Sequence, residues 1–320
     1  MDASRVLVAG ETLVDLFPDG PGDLDDVDGF RHRAGGAPAN VAAALSRLDA
    51  PPLFWTRLGG DPFGDFLAGR LAAHGLDGEY VVRGDADTAL AVVSPTPDGD
   101  RSFSFYAADT ATFAFDAGAV PDAVLRDCEC VHVGGVALAD PRGRAATLDL
   151  AARARDADCV VSVDPNARPA LHDTADARAA LRDLLALADV ACASADDLAV
   201  LGGDRERASR DPEAAAAALL ADGPETAFLT LGGDGAVAVT DAGGERVARS
   251  QSAFDVDVVD ATGAGDAFTA GVLARYERAP SADALADALR WGCAAGALAT
   301  TATGGLAALP DRAAVRELAE

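Results

Sequence analysis

Short apolar runs alternate along the chain with longer stretches in which apolar residues recur every three to four positions. The runs predict strands at 5–9, 53–57, 130–133, 159–164, 190–193 and 227–230. The periodic stretches predict helices at 38–48, 65–74, 142–156, 175–186 and 212–221; Pro38 sits in the first turn of one, and Gly75 stops another. Residues 80–106 break this rhythm. At 88–94 and 102–106 apolar and polar residues alternate one by one around Pro97-Asp-Gly-Asp100, which reads as a β-hairpin. Strands alternating with helices of this length predict an α/β fold, a doubly wound and mostly parallel sheet with helices on both faces, and ligands in such folds lie at the carboxyl ends of the strands. The hairpin region reads as a small separate sheet over one end of the main one. Nothing repeats at a fixed period, and no Ser/Gly-rich linker marks a second domain.

Half of the 320 residues are hydrophobic, enough for a large core, so the net charge of −26 does not signal a disordered acidic chain. Of the 52 acidic residues ten are Glu and 42 are Asp, and all 26 cations are Arg. The absence of lysine excludes a P-loop, a protein-kinase strand lysine and Schiff-base chemistry. Any phosphate must be handled by backbone amides, Arg and metal ions. Because the acids are scattered along the whole chain, the charge reads first as a halophilic surface working in molar salt, where the Debye length is about 3 Å. An acidic protein of a GC-rich genome and a cation-binding module are the alternatives, the last lacking an Asp-x-Asp-x-Asp-Gly loop. Nucleic acid is excluded as a partner on charge. Cys128, Cys130, Cys159, Cys192 and Cys293 form no Cys-x-x-Cys pair and read as buried thiols in a reducing cytoplasm. Neither a signal peptide nor an apolar run near 20 residues is seen, so no membrane partner is expected.

Candidate chemistry gathers at the predicted strand ends. Asp260-Ala-Thr-Gly-Ala-Gly-Asp-Ala-Phe268 opens a helix, with Gly263 and Gly265 freeing backbone N–H groups for an anion. Asp266 lies where those groups converge; it suits a general base beside a transferred phosphate, or simply an Asp in a first helical turn. Glu11-Thr-Leu-Val-Asp15 follows the first strand, and Gly35-Gly36-Ala-Pro-Ala-Asn40 precedes the first long helix. Asp15 and Asn40 read as ligand contacts, or as an Asx-turn and a first-turn helix residue. Asp164-Pro-Asn-Ala-Arg168 and Ser194-Ala-Asp-Asp197 follow two more strands, the second approximating a capping box. After Thr230, Gly232 to Gly235 read as a nucleotide approach or a hairpin turn into 236–240. No Gly-x-Gly-x-x-Gly follows the first strand, which disfavours a nicotinamide dehydrogenase.

Over nearly its full length the chain resembles the phosphofructokinase-B, ribokinase-like sugar kinases. The resemblance rests on Ala34-Gly-Gly-Ala-Pro-Ala-Asn-Val-Ala42 with Gly59-Gly-Asp-Pro-Phe-Gly64, and on Asp260 to Phe268, in that order and separation. It implies one kinase domain over 1–320, with lid strands within 12–34 and 80–110, that transfers the ATP γ-phosphoryl group to a sugar hydroxyl. Asp266 would be the base, with Gly263, Ala264 and Gly265 at the anion hole. Asp15, Gly35, Gly36, Asn40, Tyr106 and Arg168 would hold the sugar, and Ser194, Thr230, Gly232 and Gly235 the nucleotide. Mg²⁺ would bridge the phosphates, with Asp197 in its shell, although Ser-x-x-Asp stands where many members carry Asn-x-x-Glu. K⁺ would sit near Asp260, Thr262 and the 301–305 loop. Fructose is the expected acceptor and 2-keto-3-deoxygluconate the rival, since Tyr106 is followed by Ala107, Ala108 and Asp109 and not by the Arg that would meet a carboxylate. Ribose and a nucleoside come next. A binding protein that kept the fold and lost catalysis is disfavoured by the intact Asp266 and its glycines. A cytoplasmic enzyme, dimeric through its lid sheet, is the expected setting. On the halophilic reading, moving from molar to millimolar KCl unfolds the chain or removes its activity. Melting curves across that series check it, and a midpoint independent of KCl contradicts it.

Overall fold

The computed structural model describes residues 6–20, 27–95, 101–242 and 244–320. The predicted turn at 97–100 lies outside them. Thirteen described strands run in chain order: β1 (Val6–Ala9), β2 (Leu13–Pro18), β3 (Phe30–Gly35), β4 (Leu53–Leu58), β5 (Val81–Arg83), β6 (Leu90–Pro95), β7 (Arg101–Tyr106), β8 (Cys130–Gly134), β9 (Val160–Asp164), β10 (Val190–Ser194), β11 (Thr226–Thr230), β12 (Ala236–Thr240) and β13 (Val247–Gln251). The α-helices are α1 (Ala37–Arg47), α2 (Pro62–Ala72), α3 (Asp122–Asp127), α4 (Pro141–Asp156), α5 (Pro169–His172), α6 (Ala175–Leu185), α7 (Ala195–Val200), α8 (Arg205–Arg210), α9 (Pro212–Leu219), α10 (Ala264–Leu273), α11 (Ala282–Ala299) and α12 (Arg312–Ala319).

Nine strands form the main sheet in the order β13-β12-β11-β10-β9-β8-β1-β4-β5. The seven from β11 to β5 are mutually parallel, and β12 and β13 close one edge antiparallel. Successive strand residues point to opposite faces, so a sheet covered on both sides needs apolar residues at every position. Val6 and Val8 accordingly enter the core under α1, α10 and α11, while Leu7 and Ala9 enter the one under α4 and α6. This double burial explains why β1 and β8 to β11 read as largely apolar runs; the buried His132 of β8 and Ser162 of β9 satisfy each other at 3.0 Å. It also puts the ends of β1, β9, β10 and β11 on one edge, where Glu11, Asp164, Ser194 and Thr230 emerge.

A second sheet has the order β3-β2-β6-β7, with β2 parallel to β6 and its other pairs antiparallel. The alternating stretch is divided between the two sheets. β5 pairs with β4 at the main sheet's edge, where the Thr56 N–H donates to the Tyr80 carbonyl at 3.1 Å, and only β6 and β7 enter the small sheet. Helix α2 begins three residues earlier than its periodicity predicts because Asp61 caps it, accepting from the Gly64 N–H at 2.7 Å. The same carboxylate accepts from the Thr88 N–H at 2.6 Å and the Thr88 hydroxyl at 2.8 Å, tying α2 to the entry of β6. Burial works to raise the Asp61 pKa, but these donors hold it below its ordinary value.

Helix α10 is fixed from both sides. Phe228 of β11 meets Phe268 and Tyr276 edge-on at 6.4 and 6.3 Å. On the opposite side α10 and α11 approach so closely that a Cβ on Gly271 would lie 2.7 Å from the Trp291 carbonyl. The start of α10 is therefore held rigidly over the carboxyl edge of the sheet.

Candidate active site

Two segments of distant sequence meet at the start of α10. Gly263 has φ 81 and ψ 2, a left-handed conformation that suits glycine, and delivers the chain into the helix with Asp266 in its first turn. On the other side Gly36 has φ 106, and a Cβ there would lie 2.4 Å from the Glu11 carbonyl oxygen. That close approach sets the start of α1, from which Asn40 Nδ2 donates to Asp266 Oδ2 at 2.7 Å. Both side chains are buried. Gly265 faces open space at this helix end, a setting whose dipole favours an anion, although the Ala264 N–H already donates to the Ala261 carbonyl at 3.2 Å.

Four carboxyls surround this contact with one guanidinium among them. Burial raises the Asp266 pKa from 3.8 to about 6, against the Asn40 hydrogen bond and the Arg168 charge. Asp15, on β2, is raised to about 7 by burial and by Asp266, with Arg168 opposing. Glu11 is raised to about 8 by burial; its Oε1 accepts from the Ala37 N–H at 3.2 Å, and its buried Oε2 has no partner among the described residues. Asp164 rises well above its ordinary value through burial and the charges of Asp197 and Asp266. Asn40 Oδ1 is likewise buried without a partner among the described residues. Such unpaired atoms in a polar cleft are places where a ligand's hydroxyls recover hydrogen bonds.

Arg168 is aimed by its own backbone. Neutral His172, fully buried, accepts the Arg168 N–H on Nδ1 at 3.0 Å and places Nε2 3.2 Å from the Gly135 carbonyl, an arrangement that puts the ring proton on Nε2. Asn166, with φ 39, tightens the same turn and donates its N–H to Asp164 Oδ1 at 2.9 Å. The guanidinium reaches over Phe103 of β7, 5.9 Å from the ring centroid, so it bridges the two sheets.

Sequence reading and structure diverge at several positions. Tyr106 does not join the cluster: it is 65% exposed and opposite Leu90 in register, on the face of β7 away from Phe103 and Phe105. Asp197 is no open metal ligand. Its Oδ1 accepts from the Ala167 N–H at 2.6 Å and its Oδ2 from the Ser194 N–H and hydroxyl at 2.6 Å each, a capping box that also occupies the Ser194 side chain. Asp260 braces two loops, its Oδ1 accepting from the Thr262 N–H at 2.9 Å and its Oδ2 from the Gly304 N–H at 3.0 Å. Gly35 lies under Asp15, where a Cβ would come within 2.1 Å of Oδ2. At the end of β11 the Thr230 hydroxyl donates to the Ala193 carbonyl at 3.3 Å. Gly235 is enclosed by the β12–β13 return, a Cβ there meeting the Gln251 carbonyl at 2.0 Å, whereas Gly232 faces open space. Sequence reasoning assigned no role to Glu11, Asp164 or Asn166. Their signal was an acid or amide just past a largely apolar strand, where a buried polar group is expected to be functional.

Among the described residues no group of three or more His, Cys, Asp or Glu side chains could hold a metal ion. The donor set therefore does not fit a divalent ion caged by protein; an ion here would depend on ligand phosphates and water.

A profile of the pfkB family carbohydrate kinases matches residues 3–312. The chain is 33% identical to a probable fructokinase-4 of Arabidopsis thaliana, over 99% of this chain and 97% of that one. It superposes on a Xylella fastidiosa fructokinase with bound ATP at a TM-score of 0.84 and 30% identity, covering 99% and 98% of the two chains. A Vibrio cholerae O395 fructokinase double mutant, in fructose, ADP and potassium ion bound form, gives a TM-score of 0.83 at 30% identity, covering 100% and 99%.

Raised carboxyl pKa values favour the protonated, folded chain. The stability they contribute is complete below their ordinary values of 3.8 and 4.5 and is lost as pH climbs through about 6, 7 and 8. Arg168 offsets that loss. Arg168→Gln is expected to lose melting temperature more steeply than the wild type between about pH 5 and 9, and parallel curves would contradict the charge balance described here.

Proposed function

The chain belongs to the pfkB family of carbohydrate kinases, phosphotransferases that act on a sugar hydroxyl, and we propose that its acceptor is fructose and its donor ATP. The observation that carries this reading is the Asn40–Asp266 hydrogen bond, which sets a buried carboxylate beside an open helix start. A sugar resting on Asp15, Gly35, Gly36, Asn40 and Arg168 would present one hydroxyl to Asp266. Asp266 takes its proton as the oxygen bonds to the γ-phosphorus and the bond to the leaving ADP breaks. The charge developing on the phosphoryl oxygens then faces the amides at Gly263, Ala264, Gly265 and Asp266. Thr230 and Gly232 at the end of β11 lie where the nucleotide would enter, and the small sheet acts as a lid.

Charge supports a neutral acceptor. Among the described residues Arg168 is already shared by Glu11, Asp15, Asp164 and Asp266, which leaves it poorly placed to meet a sugar acid, and 2-keto-3-deoxygluconate is the less favoured substrate. Ribose and nucleosides come after it. Mg²⁺ would travel with the triphosphate, and K⁺ near the carbonyls of Asp260, Thr262 and residues 301–305 would brace the same loops.

We further propose a halophilic, cytoplasmic enzyme that self-associates through the small sheet's outer face. Phe30 and Tyr106, on the two edge strands of that sheet, are exposed by 42 and 65%, and sedimentation reads such a pair as a doubled mass.

A coupled ADP-release assay at high KCl against fructose, 2-keto-3-deoxygluconate, ribose and adenosine tests the substrate; fructose is expected to give the highest kcat/KM, and a higher value for another acceptor replaces it. Asp266→Asn is expected to lower kcat about a thousandfold while a non-hydrolysable ATP analogue still binds. In the wild type, kcat/KM should fall tenfold per pH unit below about 6, as Asp266 takes up a proton. Retained turnover in Asp266→Asn, or a limb at the ordinary Asp value, removes Asp266 as the base.

A further inference from the structure

A second line of contact leads from the small sheet to the start of α10, beginning at Arg33, which has no part in the roles above. Arg33 of β3 stands directly opposite Asp15 of β2, so both side chains share the sheet face on which Asp15 meets the carboxyl cluster. Its guanidinium lies over Phe17, 5.8 Å from the ring centroid, and Nη1 donates to the Thr303 carbonyl at 3.0 Å. The residue after Thr303 packs on the same guanidinium. Gly304 has φ 101, and a Cβ there would lie 2.5 Å from Arg33 Nη1.

From Thr303 the contacts continue without a gap into the anion site. Gly304 donates its N–H to Asp260 Oδ2 at 3.0 Å, and Asp260 Oδ1 accepts from the Thr262 N–H at 2.9 Å, which fixes the turn entering Gly263. Gly305 fits between the two signature motifs. A Cβ on Gly263 would lie 3.0 Å from the Gly305 Cα, and one on Gly305 would lie 2.8 Å from Asn40 Oδ1. The 303–305 loop thus touches the small sheet at one end and both Asn40 and the helix start at the other.

We propose that Arg33 is a positioning residue that couples sugar binding to the order of the phosphate-binding backbone, acting through Thr303, Gly304 and Asp260. A sugar held by Asp15 steadies β2 and, across the register, Arg33 on β3. Arg33 then holds the Thr303 carbonyl, which keeps the Gly304 and Thr262 amides on Asp260 and the helix start in place before the triphosphate arrives. The second ligand meets a backbone already ordered by the first, so each tightens the other by the same factor. The inference rests on the kinase reading for the identity of the ligands; the contact chain itself stands apart from it.

Two measurements test it in the full-length chain at high KCl. Calorimetry gives the affinity of the Mg²⁺ complex of adenylyl imidodiphosphate with and without saturating fructose. The wild type is expected to show tightening on the order of tenfold. Arg33→Met keeps an apolar stem over Phe17 but has no donor; it should bring that ratio to about one while leaving the affinity for each ligand alone within about twofold. Arg33→Lys, which retains a charge and a shorter donor, should recover part of the ratio. Hydrogen exchange on ligand-free protein should show faster exchange at the Gly304 and Thr262 amides in Arg33→Met, with β8 to β11 unchanged. If fructose is the wrong acceptor, the wild type shows neither turnover nor tightening with it, and the exchange measurement still decides the role of Arg33. Wild-type exchange at these two amides in Arg33→Met overturns the proposal, as does an unchanged affinity ratio where the wild type shows tightening.

Discussion

The site depends on a hydrogen bond between side chains 226 residues apart, from Asn40 to Asp266. Burying an aspartate at a helix start is costly unless its charge is met, and the bond from Asn40 and the charge of Arg168 both meet it. Much of the architecture serves this contact. Gly36 lets α1 begin close to the Glu11 carbonyl, Gly263 turns the chain into α10, and Phe228, Gly271 and the α11 backbone clamp that helix against the sheet. Changing the distance at either end would leave an unpaired carboxylate in a largely closed setting, which is why both ends are built from close backbone packing.

Around this contact the electrostatics are set by shortage. Four raised carboxyls share Arg168, and burial pushes each of them toward its neutral form. Glu11 and Asp15 spend much of their time protonated near neutral pH, as hydrogen-bonding groups suited to hydroxyls, while Asp266, raised only to about 6, is the carboxyl ready to act as a base. The same imbalance that would repel a sugar acid suits a neutral polyol. On the outer surface the excess of acid is met by exposed pairs such as Arg246–Asp241 and Arg278–Asp158, which are weak individually and easily screened.

Much of the main sheet was legible because β1 and β8 to β11 are buried on both faces and mostly apolar; β5 and β13, at its edges, were not read as its strands, and α2 starts early where Asp61 caps it. The small sheet was less so. β2 and β3 lack the clean alternation of β6, since Asp15 and Arg33 occupy positions that an ordinary half-buried strand gives to apolar residues. The two signature motifs announced Asn40 and Asp266, and the structure joins them. The face of Tyr106 could not be read from sequence because strand parity is undefined until the register is known, and Asp197 stayed open because a capping box and a metal ligand use the same residue types at the same spacing. Arg33 went unassigned for a related reason: its significance lies in what it touches across the fold, and nothing adjacent in sequence marks it.

The most direct test of this account is the titration of Asp266 itself. Carboxyl ¹³C NMR of the aspartate-labelled protein, assigned by comparison with Asp266→Asn, reads its midpoint without reference to any substrate. The account expects a midpoint near 6, and a further rise in Asn40→Ala once the donor is gone. A midpoint near the ordinary 3.8, or one that does not move in Asn40→Ala, would contradict it.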